Sequence, residues 1–367
     1  MPSKRILFVS CAVGMGHVRA ADALLAHLKS THPEIETTHI DLMDFLAPLA
    51  KNFYFDSYNF MAKRVPKLWG TIYRATNNPK GAKHFNQLTK INKKIGAKKF
   101  FKFIEKYQPD YILSTHFTPA DLIANHAHSY NITTNNGLLI TDFAAHPLHL
   151  ASDQTDYFVP TQSVKNQLVN FGANVKQVVV SGLPLNPAFY QTKSAQNLKN
   201  RYHLNDNKTL LFLAGGGGFT KIDRLLKNLF EQKLSYNIIA IAGKNKQLYN
   251  RLTRLIPPAD MNFVLTEWTD AIDEFMRVAD LIITKSGGLT IAECLYLQKP
   301  MLIIDPVPGQ EEDNLKFLED NHYGQKLKTA TNCSIITENI LTPQKIIYPP
   351  PLNANDAIIN NILKNLA

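Results

Sequence analysis

The chain has 367 residues, 45% of them apolar, enough for two ordinary domains with a core each. No apolar run reaches the roughly 18–20 residues that span a bilayer, and Cys11, Cys294 and Cys333 have neither the spacing of a zinc site nor that of a disulfide framework. The net charge of +10 is local: Lys51–Lys106 holds fourteen Lys or Arg against Asp56 and Glu105, so this stretch is +12 and the rest of the chain −2.

Met1-Pro2-Ser3-Lys4-Arg5 enters a strand without an apolar leader, which predicts a cytoplasmic chain. Arg5–Ser10 (RILFVS) reads as a buried first strand, followed by a glycine turn, Gly14-Met15-Gly16-His17. An amphipathic helix with Val18, Ala21, Leu24, Leu25 and Leu28 on one side comes next. A lone Gly-x-Gly is weak evidence for a dinucleotide, and Arg19 stands where a third glycine would be needed. The turn brings backbone close to a ligand and projects His17 from the helix start, as a base in a cleft or as a plain helix cap. Glu36–Asp41 reads as the second strand.

Within the basic stretch lie eleven aromatic residues, among them Phe53, Phe55, Trp69, Phe100, Phe101 and Phe103. Pro66 and Pro79 break any long helix, so the spacing predicts two or three short surface helices. A solvated basic face does not need so many aromatics; an anionic membrane surface or a nucleic acid accounts for both features. Phe53, Phe55, Lys63, Arg64 and Trp69 are the candidate membrane and acceptor contacts.

Tyr111–Ser114 and Gly137–Thr141 read as further strands, ending in Thr115-His116 and in Asp142-Phe143 with His146 beyond. Polar groups at the carboxyl ends of parallel strands point into the ligand crevice of an open α/β sheet, which makes His116 and Asp142 reserve candidates for the base. Tyr157–Pro160, a helix over Ser163–Phe171 and Val178–Val180 complete the first half. Gln191–Lys208 is polar without an apolar period and is the expected linker, dividing the chain into 1–190, 191–208 and 209–367.

The second half opens with the strand Leu210–Ala214, which runs into Gly215-Gly216-Gly217-Gly218. Consecutive glycines are costly in folding entropy and fit a backbone that must touch a ligand. Asn237–Ala242 leads to Lys244, a candidate cation for a diphosphate, and Asn262–Leu265 leads to Thr266-Glu267-Trp268. Two short strands, Leu281–Thr284 and Met301–Asp305, then each empty into a loop that opens a helix. The first loop is Lys285-Ser286-Gly287-Gly288, with Thr290 and Glu293 in the helix beyond; the second reaches Gly309, Gln310 and Glu311. Strand, glycine loop and helix N-terminus together suit a phosphate. A carboxylate further along accepts from both hydroxyls of a ribose. The last helix, Asn355–Leu366, is expected to pack back on the first domain.

The runs S-G-G-L-T-x-x-E and P-x-P-G-Q-E, with Asn314 following, resemble the donor half of family 28 glycosyltransferases. Gly14, Gly16, His17, Ala20 and Ala21 fit the family's glycine turn and small-residue helix, and I-T-D-F and Ser181-Gly182-Leu183-Pro184 extend the likeness. Within the family the chain is most similar to monogalactosyldiacylglycerol synthases and processive diacylglycerol glucosyltransferases. The resemblance implies the glycosyltransferase B-type fold: α/β, two facing Rossmann-like domains with a cleft between them. It also implies an inverting transfer of glucose or galactose from a UDP-sugar to a diacylglycerol-type lipid, by a protein held peripherally on the inner face of the cell membrane. His17 becomes the base and, with Glu311, the catalytic set. Gly215, Gly216, Gly217, Lys244, Thr266, Glu267, Trp268, Ser286, Gly287, Gly288, Thr290, Glu293, Gly309 and Gln310 become the donor set, Glu293 on the ribose and Gln310 with Glu311 on sugar hydroxyls. One departure stands out: the family's basic residue before the second proline of G-x-P-x-R-P is Asn186 here. The sequence contains no D-x-D, so no metal or other cofactor is expected. Open alternatives are N-acetylglucosaminyl transfer to a polyprenyl-linked precursor, UDP-sugar 2-epimerisation, and nucleic-acid binding without catalysis.

Overall fold

A computed structural model describes residues 4–12, 14–46, 65–82, 98–151, 155–216, 222–232, 235–327, 335–336, 338–339 and 345–366. The chain divides into two compact units. The first comprises Met1–Pro187, Val307–Gln310 and Leu352–Ala367; the second comprises Ala188–Pro306 and Glu311–Pro351.

Each unit is built on a parallel six-stranded sheet. In the first the order is β2-β1-β3-β4-β5-β6, from β1 (Arg5–Ser10), β2 (Glu36–Asp41), β3 (Tyr111–Ser114), β4 (Asn135–Leu139), β5 (Thr155–Val159) and β6 (Val178–Val180). Strands β1 and β3 are short apolar runs because helices cover both faces of the sheet. One face packs Leu7, Val9 and Ile112 against Phe100, Phe101, Ile104 and Leu122. Farther along the same face, Leu138, Tyr157 and Val159 pack against Val164 and Leu168. The helix Met15–Thr31 buries Ala20, Ala21, Ala23, Leu24 and Leu28, whose small residues let it lie close to the sheet; Val18 and Leu25 are only half-buried.

The helix Ala354–Leu366 completes this unit, burying Ile358, Ile359 and Ile362. Fully buried Asn355 accepts from Leu185 N at 3.1 Å and donates to Leu185 O at 2.9 Å. Asp356 meets His27 Nε2 at 2.7 Å and Asn365 donates to Asp156 at 3.0 Å.

The second sheet has the order β12-β11-β10-β7-β8-β9, from β7 (Thr209–Leu213), β8 (Asn237–Ile241), β9 (Asn262–Thr266), β10 (Leu281–Thr284), β11 (Met301–Ile303) and β12 (Gly324–Lys326). Its core joins Leu210, Phe212, Ile238, Ala240 and Ile283 to Leu225, Leu226 and Leu229 of the helix Ile222–Glu231. In the first sheet the chain order reverses between β1 and β3, in the second between β7 and β10. These are the topological switch points, where strand ends splay and ligands bind in open α/β sheets.

Several elements differ from the sequence reading. β4 spans Asn135–Leu139 rather than Gly137–Thr141, and β11 stops at Ile303, ahead of Asp305 with its φ of 45°. Strand β12 is three residues of Gly-Gln-Lys and carries no apolar pattern to announce it. Gln191–Lys208 contains the helix Ala195–Arg201, capped by Ser194. This stretch is held by charge, which is why it shows no apolar period: Lys193 meets Asp273 at 2.7 Å and Glu274 at 3.1 Å, and Glu274 also takes Arg201 and Tyr202. Phe100 and Phe101, counted among surface aromatics, are fully buried in the first core, because 98–107 is a helix lying against the sheet.

Candidate active site

At the first switch point, β1 ends at Ser10, and Gly14 is the extended N-cap of the helix Met15–Thr31, with no side chain capping it. His17 is therefore not a cap. Its Nδ1 lies 2.5 Å from the Thr115 carbonyl oxygen, just beyond β3, and 3.2 Å from Thr141 Oγ1, just beyond β4. Thr115 Oγ1 donates to the His17 carbonyl at 2.9 Å. The His116 ring stands edge-on to His17, centroids 4.7 Å apart, while its own side chain caps the helix Phe117–His126.

Burial pushes the His17 imidazole below its ordinary pKa; Asp142, the Thr115 carbonyl and Asp41 pull the other way without reversing the shift. The neutral form therefore prevails at neutral pH. His149 is pushed down to about 3 by burial and by His146 and His17. Burial lowers His146 too, against a contact with the Tyr73 carbonyl. Asp142 thus acts on an imidazole, His17, that stays neutral, while His146 and His149 are held neutral mainly by burial. Thr141 and His149 escaped the sequence reading. Thr141 is masked by the two-residue error in β4, and His149 lies in a short turn that no periodicity marks.

At the second switch point, the loops after β7, β8 and β10 converge. A Cβ on Gly243 would sit 2.5 Å from the Gly215 carbonyl oxygen, so only glycine fits, and Gly215 itself has a φ of 75°. Lys244 N donates to Gly216 O at 3.2 Å. After β10, Gly287 is the N-cap of the helix Gly288–Tyr296 and no side chain caps it. Thr290 is half-buried and Glu293 is buried in that helix. Ser286 is fully buried: its Oγ donates to the Glu311 carbonyl at 2.6 Å and its own carbonyl accepts from Asn314 at 2.9 Å. Ser286 thus staples the loop after β10 to the first turns of the helix Gln310–Asp320. Lys285 Nζ stands 3.9 Å from Glu311 Oε2, and its stem borders Gly215.

Lys244, the cation chosen from sequence, lies over the Trp268 ring, 5.0 Å from its centroid. Lys285 borders the glycine loops with its side chain, whereas Lys244 meets them only through its main-chain amide. Thr266 ends β9, with Glu267 and Trp268 exposed beyond it. Gly309 and Gln310 group with the first unit: Gly309, φ 98°, packs on Tyr73, and Gln310 Oε1 accepts from Trp69 Nε1 at 3.4 Å. Phe53, Phe55, Lys63, Arg64 and Gly217 lie outside the described residues. Among the described residues no group of three or more His, Cys, Asp or Glu is arranged to hold a metal ion. No helix among them is long and apolar enough to cross a membrane.

Comparison with known proteins covers both units. Residues 17–185 match the family model described as monogalactosyldiacylglycerol (MGDG) synthase, and residues 209–347 match the glycosyltransferase family 28 C-terminal domain. The chain is 26% identical to a processive diacylglycerol beta-glucosyltransferase of Bacillus subtilis, over 99% of this chain and 95% of that protein. A Staphylococcus carnosus protein of the same name is 24% identical, over 92% and 84%. Among solved structures, Acinetobacter baumannii MurG aligns with a TM-score of 0.61 at 14% identity, covering 98% and 99% of the two chains. The Staphylococcus aureus MnaA–UDP structure aligns at 0.62 with 16% identity, covering 99% and 97%. These structural likenesses carry the glycosyltransferase B-type fold, and with both halves of its sequence matched the chain belongs to glycosyltransferase family 28.

Proposed function

We propose that the chain transfers a hexose from a UDP-sugar to a diacylglycerol-type lipid at a membrane surface, with inversion and without a metal. The observation that carries this reading is His17: a neutral imidazole at a switch point, its Nδ1 committed to the Thr115 carbonyl and its Nε2 left to take a proton. The relatives named as beta-glucosyltransferases span nearly all of the chain. A β product from an α-linked donor such as UDP-glucose requires one displacement. The acceptor hydroxyl passes its proton to His17 as its oxygen bonds to the anomeric carbon. The bond from that carbon to the diphosphate breaks, and UDP departs with the electron pair.

The second unit would hold the donor. The amides at Gly287 and Gly288 and the cation of Lys285 face the diphosphate, and offset its growing charge in place of a metal. Lys285 also answers the departure at Asn186, where the family's basic residue is missing. Glu293 takes the ribose, Thr266–Trp268 the base, and Glu311 with Gln310 the sugar hydroxyls. The basic stretch Lys51–Lys106 would draw the protein to anionic lipid.

The test is mass spectrometry of lipid products formed from diacylglycerol vesicles with UDP-glucose, UDP-galactose or UDP-N-acetylglucosamine. Hexosyl-diacylglycerol is expected from one of the first two, and His17→Ala should lower its rate by roughly a hundredfold while sparing UDP binding. The rival readings have support from the fold, since MurG and UDP-N-acetylglucosamine 2-epimerase structures share it. Sugar transfer only to a polyprenyl-linked acceptor, or a 2-epimer of the donor as the sole product, would replace the proposal.

A further inference from the structure

We propose that Thr115 is the positioning residue of the base, holding His17 in the Nδ1–H tautomer through its main-chain carbonyl. The inference rests on the reading of His17 as the base. A carbonyl oxygen only accepts, so a ring nitrogen 2.5 Å from it must carry the proton. Neutral histidine in water prefers its proton on Nε2. The Thr115 carbonyl therefore selects the less common form, and that form presents the lone pair of Nε2. Carboxylates commonly orient a catalytic histidine in this way; here a backbone group takes the place.

Thr115 is fixed from three sides. Its amide donates to Val9 O at 2.9 Å, continuing the β1–β3 ladder in which Val9 pairs with Ser114. Its hydroxyl donates to the main-chain carbonyl of His17 at 2.9 Å, and its carbonyl takes the ring. It is fully buried, so water does not compete for these bonds. Helix backbone and imidazole are thus referred to a single residue, itself anchored to the first strand. Thr141 Oγ1, at 3.2 Å from the same nitrogen, lies within reach of the proton already given to Thr115 and restrains ring rotation. The charged and titratable groups facing His17 are Asp142 and Asp41, which favour its protonation, and His149, whose protonation a charged His17 would oppose. Asp142 would then stabilise the imidazolium by its field once the proton has moved, while Thr115 does the aiming.

The tautomer is directly measurable. Full-length protein labelled with 15N-histidine, with His17→Gln to assign the signal, should show at neutral pH a protonated Nδ1 and an unprotonated Nε2 for His17. A protonated Nε2 in the wild type overturns the proposal, whatever the protein's activity. Kinetics supply the second arm. Thr115→Val keeps shape and β-branching but loses the hydroxyl; it should lower kcat roughly tenfold or more with donor KM changed by less than about twofold. Its acid limb should move to lower pH, because the Thr115 carbonyl favours the protonated ring. Thr115→Ser should restore both. A valine variant with wild-type kcat and pH profile, or a serine variant as poor as valine, overturns the proposal. Should valine fail to fold, judged by loss of stabilisation by UDP, the wild-type tautomer decides the matter. Absence of glycosyl transfer in the wild type would instead remove the functional reading and leave the tautomer standing.

Discussion

Replacing Lys285 by Met keeps the length and packing of the side chain while deleting its charge. In the structure Nζ faces Glu311 Oε2 at 3.9 Å, at the rim of the Gly215 loop, with each side chain less than a fifth exposed. At an effective dielectric constant of about 20, a pair of unit charges at this distance attracts by roughly 4 kcal/mol. A diphosphate brings at least two negative charges, and part of the gain is offset by the weakened pairing with Glu311. The net loss on removing Lys285 should be about 1–3 kcal/mol, some 5- to 150-fold in affinity. Calorimetric titration with uridine, UMP and UDP separates this effect from general damage. Lys285→Met should leave uridine unchanged, weaken UMP a little and UDP most. Lys244→Met, which removes the cation stacked on Trp268, should affect the three ligands alike. Unaltered UDP affinity in Lys285→Met, with UDP bound normally by the wild type, would refute the argument; a selective loss in Lys244→Met would restore that residue as the diphosphate cation.

Glu293→Gln should reduce UDP affinity by on the order of 2–4 kcal/mol, read as a smaller melting shift with UDP in the presence of a chelator; an equal shift in wild type and variant would remove Glu293 from the ribose. Stability should fall as pH drops from 6.5 toward 3, because unfolded His149 takes a proton that the native ring, with its pKa near 3, refuses. The slope is about 1.4 kcal/mol per pH unit from His149, with His146 and His17 adding in the same sense. Urea unfolding at pH 7 and pH 5 should show that His149→Asn narrows the difference between the two. Sedimentation with phosphatidylglycerol vesicles should retain the protein in low salt, less so in high salt, and less in either when Phe53 and Phe55 are Ser. Protein left in the supernatant under all conditions would favour a soluble acceptor.

The fold was legible wherever burial on both faces wrote a continuous apolar run, as in Arg5–Ser10 and Leu281–Thr284. It was illegible where charge does the holding. The helix Ala195–Arg201 leans on Asp273 and Glu274 through Lys193, Arg201 and Tyr202, a partnership spread over some eighty positions that no local window detects. The glycine turns announced both switch points, but only at the second does a close backbone approach, Gly243 on Gly215, admit no other residue; a Cβ on Gly14 or Gly16 would meet open space. The sequence was silent on which lysine faces those loops. Lys285 directly follows β10 and Lys244 stands three residues past the end of β8, and only the contact of one with Glu311 and the other with Trp268 tells them apart. A backbone acceptor such as Thr115 O has no residue-type signature at all, since every residue owns a carbonyl.

The helix Ala354–Leu366 has a consequence for how the protein comes into being. Its residues finish the first unit, covering apolar surface with Ile358, Ile359 and Ile362 and occupying the main chain of Leu185 through Asn355. A ribosome delivers Met1–Pro187 first and must then translate the whole of the second unit before this helix emerges. At about 5–20 residues per second that delay is on the order of ten to thirty seconds. Throughout it the nascent first unit exposes an unfilled apolar seam, and it becomes complete only after the second unit has had time to fold. The order of synthesis and the order of completion are therefore opposite: the unit begun first is the last to receive all of its elements.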